Sequence, residues 1–397
     1  MKKTILKNGL RILHQASETE IFTINASILA SSLYETAKNS GMSHFLEHMV
    51  FEGTKNRTCQ QLSTEIEKLG GEMNAYTSNE KTNFYIKIHK KHAEKAIEIL
   101  ADIIINPKFN EKSIKKEKKV IIGEIKMIKD DPRHDQWDIF QKKLFKRPFS
   151  NSVIGTKASI FKLKRKDLVE FHDKYYVPKN IIITIIGNYP KYIESIKKYF
   201  AFKTKKSNIE LPKYKIENSH KDFTIHKKNL KLQYIVIGYQ TPLRLEKDSF
   251  SLDVITAILS KGQSGKLFEE IRTKRGLTYN FGILHNPGFS HSFLAFYANA
   301  EKRKIPLIEK IFFTELNKLK NASEKDIEQA KSFLEGQIVL KNEDSQDYAD
   351  AISLFEECGD CNQIKNYVKN IRAVTKKDIK DAIKKYLNDK YTRISLV

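Results

Sequence analysis

Cysteine is scarce in this sequence: the 397 residues include three, Cys59, Cys358 and Cys361. Three cysteines do not make the disulfide framework that holds small secreted domains together. Cys358 and Cys361 have the spacing Cys-x-x-Cys, which in other settings binds a metal or changes redox state. No second pair accompanies them, so we base no function on this motif.

Long apolar runs are also absent, and no segment approaches the roughly 20 residues that a membrane-spanning helix needs. The chain starts with Lys2 and Lys3, but no continuous apolar segment follows them, so no signal peptide is predicted. We therefore expect a cytoplasmic protein without a membrane partner. A location in an organelle matrix would fit a chain from which a transit peptide had been removed.

Acidic residues are fewer than basic ones, 48 against 71, which gives a formal net charge of +23 at pH 7. A charge of this sign favours nucleic acid as a partner. The lysines, however, are spread along most predicted helices, and no zinc-knuckle, RRM or helix-turn-helix pattern accompanies them. We predict a solvated basic surface that has no nucleic-acid partner and that disfavours basic substrates.

The chain is long enough for two domains, and an internal repeat indicates that the two are related. Residues 114–125 align with residues 327–338 at an offset of 213. We predict an α+β fold of two homologous domains from an internal duplication, each a mainly antiparallel β-sheet packed with α-helices. The predicted boundaries are 1–202 for the first domain, 203–221 for a linker and 222–397 for the second domain.

The strongest local signal for chemistry is the pattern His-x-x-Glu-His formed by His44, Glu47 and His48. In a helix, residues four apart lie on one face, so both imidazoles can reach one metal ion. Glu47 is offset around the helix, where its carboxylate can bond a water molecule at the metal. Paired histidines on a helix are usually structural, but the intervening glutamate makes the pattern typical of an inverted zinc-peptidase motif.

A catalytic zinc site needs a third protein ligand, and two glutamates of one predicted helix are candidates. Glu117 and Glu124 lie seven residues apart on one helix face, and the spacing alone does not rank them. Their counterparts in the second half are Ala330 and Gln337, and that half has no His-x-x-Glu-His. One half therefore carries the metal. Mixed nitrogen and oxygen ligands accept several divalent metals.

With Glu124 placed 76 residues after His48, the arrangement resembles the M16 metallopeptidase family, which includes pitrilysin, insulin-degrading enzyme and mitochondrial processing peptidase. Further stretches support the resemblance over nearly the whole chain: Asn8–Arg11, Phe51–Thr54, Gly70–Thr77, Gly155-Thr156 and Leu267–Tyr279. The resemblance implies a zinc metalloendopeptidase fold and activity.

The resemblance also implies a role for each residue of the site. One Zn²⁺ per chain is held by His44, His48 and Glu124. Glu47 is the general base that takes a proton from the attacking water. Glu117 is a nearby second carboxylate that orients the site or assists the base.

Substrate contacts are implied in both halves. In the family the substrate adds as a strand to an exposed sheet edge, which Asn74 and Ala75 match here. An arginine and a tyrosine seven residues apart contact the substrate backbone and the tetrahedral intermediate, and Arg272 and Tyr279 have that spacing. Without the resemblance, these four residues are the start of an ordinary strand, a surface arginine and a strand aromatic.

Long relatives enclose the substrate with four such domains, so a two-domain chain implies a homodimer. Arg272 and Tyr279 of one chain then complete the zinc site of the other. The predicted function is zinc-dependent endoproteolysis of short or unfolded peptides inside the chamber that the homodimer would enclose, for degradation or for leader removal. One alternative is a non-catalytic assembly subunit related to the family. Another is a basic nucleic-acid binder, which would be indifferent to chelation.

Overall fold

The computed structural model describes residues 1–202 and 209–397 as an alternation of strands and helices. The strands are β1 Lys2–Ile5, β2 Arg11–Gln15, β3 Ile21–Ile28, β4 Glu72–Thr77, β5 Thr82–His89, β6 Ile181–Ile186, β7 Lys221–Ile225, β8 Gln233–Gln240, β9 Asn280–Pro287, β10 Ser292–Ala300 and β11 Thr392–Leu396. The helices are α1 Met42–Phe51, α2 Cys59–Glu67, α3 Ala93–Ile105, α4 Glu111–Asp130, α5 Pro132–Leu144, α6 Lys157–Lys162, α7 Arg165–Tyr175, α8 Tyr192–Tyr199, α9 Lys247–Ser260, α10 Ile305–Lys318, α11 Glu324–Glu343, α12 Ser345–Glu357, α13 Tyr367–Arg372 and α14 Lys376–Tyr386.

The two sheets repeat one topology. The first has the strand order β1-β2-β6-β3-β5-β4, and the second has β7-β11-β8-β10-β9. The pair β2 and β6 is parallel, as is the pair β7 and β11, and the other pairs are antiparallel. Five strands of the first sheet thus match the second in order and direction, and β1 is the addition. The predicted α+β fold of two related, mainly antiparallel halves is confirmed.

The helices repeat in the same way. Residue 111 at the start of α4 corresponds to residue 324 at the start of α11, and residue 130 at its end corresponds to residue 343. This is the offset of 213 residues that the sequence repeat predicts. Ala330 and Gln337 therefore occupy the places on α11 that Glu117 and Glu124 occupy on α4.

The chain packs as two compact units, each of which is discontinuous in sequence. Unit 1 consists of Met1–Met127, Asn151–Pro212 and Lys341–Glu357. Unit 2 consists of Ile128–Ser150, Lys213–Leu340 and Cys358–Val397. Helix α5 of the first half therefore belongs to unit 2, and α12 of the second half belongs to unit 1. The predicted domains are continuous stretches and do not include this exchange.

The predicted linker, 203–221, lies partly outside the described residues, which omit 203–208. Residues 209–220 contain no helix or strand, and β7 begins at Lys221. Within the described parts of the chain, no helix has both the length and the apolar character that a membrane crossing requires.

In unit 1, the sheet buries a polar face as well as an apolar one. Phe22 and Ile24 of β3 join the hydrophobic core. The residues that alternate with them along β3, Thr23, Asn25 and Ser27, are polar and are buried on the side of α12. There the Asn25 amide donates to Asp350 Oδ1 at 2.8 Å, and Lys81 Nζ lies 3.3 Å from Glu357. Each polar group on this face needs a partner, because burying it unpaired costs free energy.

In unit 2, the corresponding face of the sheet is covered by aromatic packing. Helix α5 lies against β8 and β11. The Phe140 ring occupies the space where a Cβ of residue 238 would lie, which is why that residue is Gly238. Phe140 also packs edge-on against Phe293, with ring centroids 5.5 Å apart. Aromatic contacts of this kind, which the polar β3 residues do not make with α12 in unit 1, help to hold α5 on the second sheet.

Candidate metal centre

The helix that carries the histidines begins at a glycine pair. Gly41 precedes α1 with φ at 88°, a left-handed conformation that favours glycine. A Cβ on Gly155 would lie 2.8 Å from the Gly41 Cα, so the two backbones approach too closely for side chains. The buried carboxylate of Glu35 then accepts hydrogen bonds from the amides of Gly41 and Ser43 at 2.6 and 2.7 Å. An acidic residue six positions before Gly41 thus caps α1 in place of a side chain at the N-cap itself.

His44 and His48 project from the same face of α1 toward α4. Their ring centroids lie 4.7 Å apart. On α4, Glu124 points its carboxylate between them: Oε2 is 3.9 Å from His44 Nε2 and 3.6 Å from His48 Nε2. One ligand atom from each of the three residues lies within 4.8 Å of the others. These side chains are partly exposed, at 17%, 19% and 31%, so the cluster is open to solvent.

The three groups fit a divalent cation better than they fit one another. Distances of 3.6 and 3.9 Å are too long for hydrogen bonds. They are close to the spacing of about 3.3 Å between the ligands of a tetrahedral zinc ion with metal–ligand bonds of about 2.0–2.2 Å. Glu124 Oε2 is buried and has no hydrogen-bond partner among the described residues. A cation among the three atoms would satisfy that oxygen.

Glu117 contacts His48 at Nδ1, the ring nitrogen that does not face Glu124. Its Oε2 lies 3.1 Å from His48 Nδ1, and Glu117 is almost completely buried. Because a carboxylate only accepts, Nδ1 must be the donor, which leaves the lone pair of a neutral imidazole on Nε2, facing Glu124. This is the carboxylate–histidine arrangement that orients metal ligands in proteins. Glu117 is itself paired with Lys116 at 3.3 Å.

Burial sets the protonation of the first histidine. It lowers the pKa of His44 to about 4, with a further contribution from the neighbouring His48. The ring is therefore neutral near pH 7 and keeps a lone pair for a metal. His44 Nδ1 is buried without a hydrogen-bond partner among the described residues. The two histidines thus differ, since His48 alone has a carboxylate behind it.

Glu47 lies beside this cluster but is not part of it. Its Oε2 accepts a hydrogen bond from the hydroxyl of Thr77, at the end of β4, with an O–O distance of 2.5 Å. Burial raises the pKa of Glu47, and the Thr77 hydrogen bond works against that rise. A half-desolvated carboxylate next to a metal site is a suitable proton acceptor.

The predicted substrate edge is an edge in the structure. β4 is the last strand of the first sheet and pairs only with β5 among the described strands. The side chain of Asn74 accepts a hydrogen bond from the amide of Ala75 at 2.8 Å. An edge strand of this kind presents backbone groups to which a peptide can add as a further strand.

Arg272 and Tyr279 lie together in unit 2. The guanidinium carbon of Arg272 is 4.5 Å from the Tyr279 ring centroid, a cation–π contact, and Tyr279 is 81% exposed. Both line a cleft of about 280 Å³. Arg272 belongs to a π-helical segment, Phe268–Thr273, a backbone form frequent at functional sites. No carboxylate of the described residues pairs with its guanidinium.

Unit 2 contains a polar cluster on the helix that follows β8. Helix α9 lies between β8 and β9 in the chain, as α1 lies between β3 and β4. Asp253 of α9 accepts from His285 Nδ1 of β9 at 2.7 Å, from Arg244 Nη2 at 2.7 Å and from the Tyr367 hydroxyl at 3.1 Å. The Arg244 guanidinium and the Asp253 carboxylate are both buried.

Sequence reasoning missed Thr77, Glu35 and the Asp253 cluster. Thr77 could have been found from the period of β4, since Met73, Ala75 and Thr77 share one face and the first two pack on the core. Glu35 had a weaker signal, a helix start without a capping side chain at Gly41. The contacts of Asp253 join residues far apart in the chain, and the sequence carries no signal for them.

Two family descriptions match consecutive parts of the chain. Residues 11–157 match Insulinase (Peptidase family M16), and residues 162–334 match the Peptidase M16 inactive domain. A protein of Rickettsia felis named "Uncharacterized zinc protease" is 31% identical over 347 residues, which are 85% of this chain and 83% of that protein. One of Bacillus subtilis with the same description is 27% identical over 351 residues, or 86% and 85%.

Solved structures share the fold over the whole chain. A protease from Helicobacter pylori superposes with a TM-score of 0.93 at 24% identity, covering 100% of this chain and 98% of that one. A structure from Pseudomonas fluorescens, described as a peptidase M16 inactive domain, has a TM-score of 0.90 at 18% identity, covering 100% and 97%. At these identities the likeness concerns the fold.

Proposed function

The chain belongs to peptidase family M16, and we propose that it is a zinc-dependent endopeptidase that hydrolyses short or unfolded peptides. One observation carries the proposal: ligand atoms of His44, His48 and Glu124 lie within 4.8 Å of one another. The description "inactive domain" applies to residues 162–334, which include none of these three residues.

One Zn²⁺ per chain would be held by His44 Nε2, His48 Nε2 and the Glu124 carboxylate. When bound, zinc supplies a Lewis acid that polarises the scissile carbonyl and makes water a better nucleophile at neutral pH. Glu117 holds the His48 ring so that Nε2 faces Glu124. The low pKa of His44 keeps that ring neutral at the pH of catalysis.

Glu47 is the proton acceptor in this proposal. One carboxylate oxygen is bonded to Thr77, which leaves the other to take the proton of the attacking water. The protonated carboxyl can then act as a general acid and give that proton to the leaving amine. Burial raises the pKa of Glu47 and so makes it a stronger base than a solvated glutamate.

The substrate would pair with the backbone of β4 near Asn74 and Ala75. Backbone pairing gives affinity with little dependence on the substrate sequence, which suits an enzyme for unfolded peptides. The amide of Ala75 is bonded to the Asn74 side chain in the structure, so a substrate carbonyl would replace an internal acceptor. Peptide degradation and removal of leader segments are both compatible with this mode of binding.

We further propose a homodimer, in which Arg272 and Tyr279 of one chain complete the zinc site of the other. Two features support it. Arg272 has no carboxylate partner among the described residues, and Tyr279 is exposed, so both are available to a peptide or a second chain. A fully active monomer, measured by light scattering on the active fractions, would contradict the dimer without affecting the zinc site.

The decisive experiment compares Glu47→Gln with Glu124→Gln on a fluorescence-quenched peptide. Glu47→Gln should lower kcat/KM by about 10²–10⁴-fold, the usual contribution of a general base, and should retain zinc. Glu124→Gln should lose both zinc and cleavage. Zinc content is measured by atomic absorption on the purified proteins. Glu67→Gln, an exposed glutamate of α2, is the matched control and should behave as the unmodified chain.

A non-catalytic assembly subunit predicts a different result. The unmodified protein would then cleave no peptide, and chelation would change nothing that can be measured in the assay. The presence of all three candidate ligands, the carboxylate behind His48 and the adjacent Glu47 favours the enzyme. Wild-type cleavage that persists in Glu47→Gln would refute the proposed base.

A further inference from the structure

Thr77 connects the catalytic helix to the edge strand. Its hydroxyl donates to Glu47 Oε2 at 2.5 Å, from the last residue of β4 to the middle of α1. Thr77 pairs with Thr82 across the hairpin and lies on the same face of β4 as Ala75, three residues from Asn74. The strand expected to hold the substrate thus also contacts the expected base.

The Thr77 hydroxyl is the donor to Glu47, because an ionised carboxylate only accepts. The Thr82 hydroxyl has one proton, and it donates that proton to the carbonyl of Ala30 at 2.8 Å. Thr82 is therefore a second possible acceptor for the Thr77 proton, but the two hydroxyl oxygens are 3.4 Å apart. The much shorter approach to Glu47 takes the Thr77 proton, as expected for a hydrogen bond to a charged acceptor.

This is the only hydrogen bond to the Glu47 carboxylate within the described part of the chain. A glutamate side chain has three rotatable bonds, so without this anchor the carboxylate would sample several rotamers. With the anchor, one oxygen is held toward β4 and the other is directed away from the hydroxyl. The orientation of a base is as important for proton transfer as its pKa.

We propose that Thr77 is a positioning residue, which holds Glu47 in the orientation for proton transfer and ties that orientation to the strand that binds the substrate. The inference rests on the proposed peptidase function. Because Thr77 acts through Glu47 and not on the substrate, its loss should affect the chemical step and leave peptide binding nearly unchanged.

The kinetic test uses Thr77→Val and Thr77→Ser on the full chain. Valine keeps the volume and β-branching but has no hydroxyl, and serine restores the donor. Thr77→Val should lower kcat by about 10–100-fold, as loss of a supporting hydrogen bond typically does, with KM within about twofold and zinc content unchanged. Thr77→Ser should recover most of the lost kcat. Thr224→Val, an exposed strand threonine of β7, is the matched control.

A second measurement does not depend on activity. In a double-mutant cycle on the urea midpoint of unfolding, Thr77→Val should shift the midpoint less in the Glu47→Ala background than in the unmodified chain. An additive cycle, or a Thr77→Val enzyme with unchanged kcat, would overturn the positioning role and leave the peptidase proposal intact. A fall in kcat that serine does not rescue would overturn it as well. If the unmodified protein cleaves no peptide, both proposals are wrong.

Discussion

In both units a carboxylate on a helix accepts a hydrogen bond from an edge strand. The units differ in whether a cationic side chain neutralises the carboxylates near that contact. In unit 1, Glu47 of α1 bonds Thr77 of β4, and Glu124 lies near two histidines that are too distant to donate. In unit 2, Asp253 of α9 bonds His285 of β9 and also pairs with the guanidinium of Arg244.

The two units differ in the positive charge that lies next to these carboxylates. Unit 2 supplies its own cation, because Arg244 lies 2.7 Å from Asp253 and both are buried. In unit 1, the nearby Lys116 is paired with Glu52 and Glu117, and no cationic side chain of the described residues pairs with Glu124. The two copies of one fold thus treat a buried or partly buried carboxylate in two ways. One copy has a closed ion pair, and the other has ligands that fit an external cation.

The largest effect on stability is expected from breaking the ion pair between Arg244 and Asp253. Asp253→Asn leaves the Arg244 guanidinium buried without a counter-charge, which should cost about 3–5 kcal/mol of unfolding free energy. Urea denaturation followed by circular dichroism measures this loss. Asp381→Asn, at an exposed position of α14, is the control and should change stability by less than about 0.5 kcal/mol. If Asp253→Asn also changed stability by less than about 0.5 kcal/mol, the ion pair would not stabilise the fold.

The stability that Asp253 contributes to unit 2 should depend on pH. Burial works to raise the pKa of Asp253, but Arg244 and His285 outweigh it and hold the pKa well below its usual range. The folded state therefore binds fewer protons than the unfolded state once the pH falls below about 4. The contribution of Asp253 is complete above that pH and is lost on further acidification, so Asp253→Asn should flatten this acid limb.

An intermediate effect, on zinc affinity, is expected when Glu117 of unit 1 is replaced by the alanine that unit 2 has at the equivalent position. Glu117→Ala places on α4 the residue that α11 has at Ala330, and it removes the acceptor behind His48. Zinc affinity should fall by about 10–100-fold, as for other carboxylates that support a metal-bound histidine. Competition with a chromophoric chelator measures it. Glu117→Gln keeps an acceptor and should lose less. Equal affinities for the alanine variant and the unmodified chain would show that His48 needs no support.

The duplicated α+β fold could be predicted from the internal repeat of the sequence. The repeat offset of 213 residues holds at both ends of α4 and α11. The exchange of α5 and α12 could not be predicted. An amphipathic pattern shows which face of a helix is buried but not which sheet buries it.

The candidate site shows a similar division. A motif within one helical turn places His44, Glu47 and His48 by geometry alone. Glu117 and Glu124 share one face of α4, so only the structure shows that Glu124 faces both rings and that Glu117 lies behind His48. Thr77 and Asp253 act through contacts between segments distant in sequence, which no local pattern records.

The last effect concerns the cap of α1 and depends on pH. Burial raises the pKa of Glu35 to about 7, although the amides of Ser43 and Gly41 favour its charged form. Here the folded state binds more protons than the unfolded state, so the sign is opposite to that of Asp253. The stability that Glu35 contributes is complete below about pH 4.5 and is lost as the pH rises through 7.

Glu35→Gln should remove this pH dependence, which has a maximum slope of about 1.4 kcal/mol per pH unit. The variant should also lose about 0.5–1.5 kcal/mol at every pH, because one amide oxygen cannot satisfy both backbone donors as the carboxylate does. Urea denaturation between pH 4 and 8 separates the two terms. Parallel curves for the variant and the unmodified chain would show that Glu35 titrates normally. The pKa of Asp253 is well below its usual range, so its protonation lies outside this pH range and the contributions of the two carboxylates can be told apart.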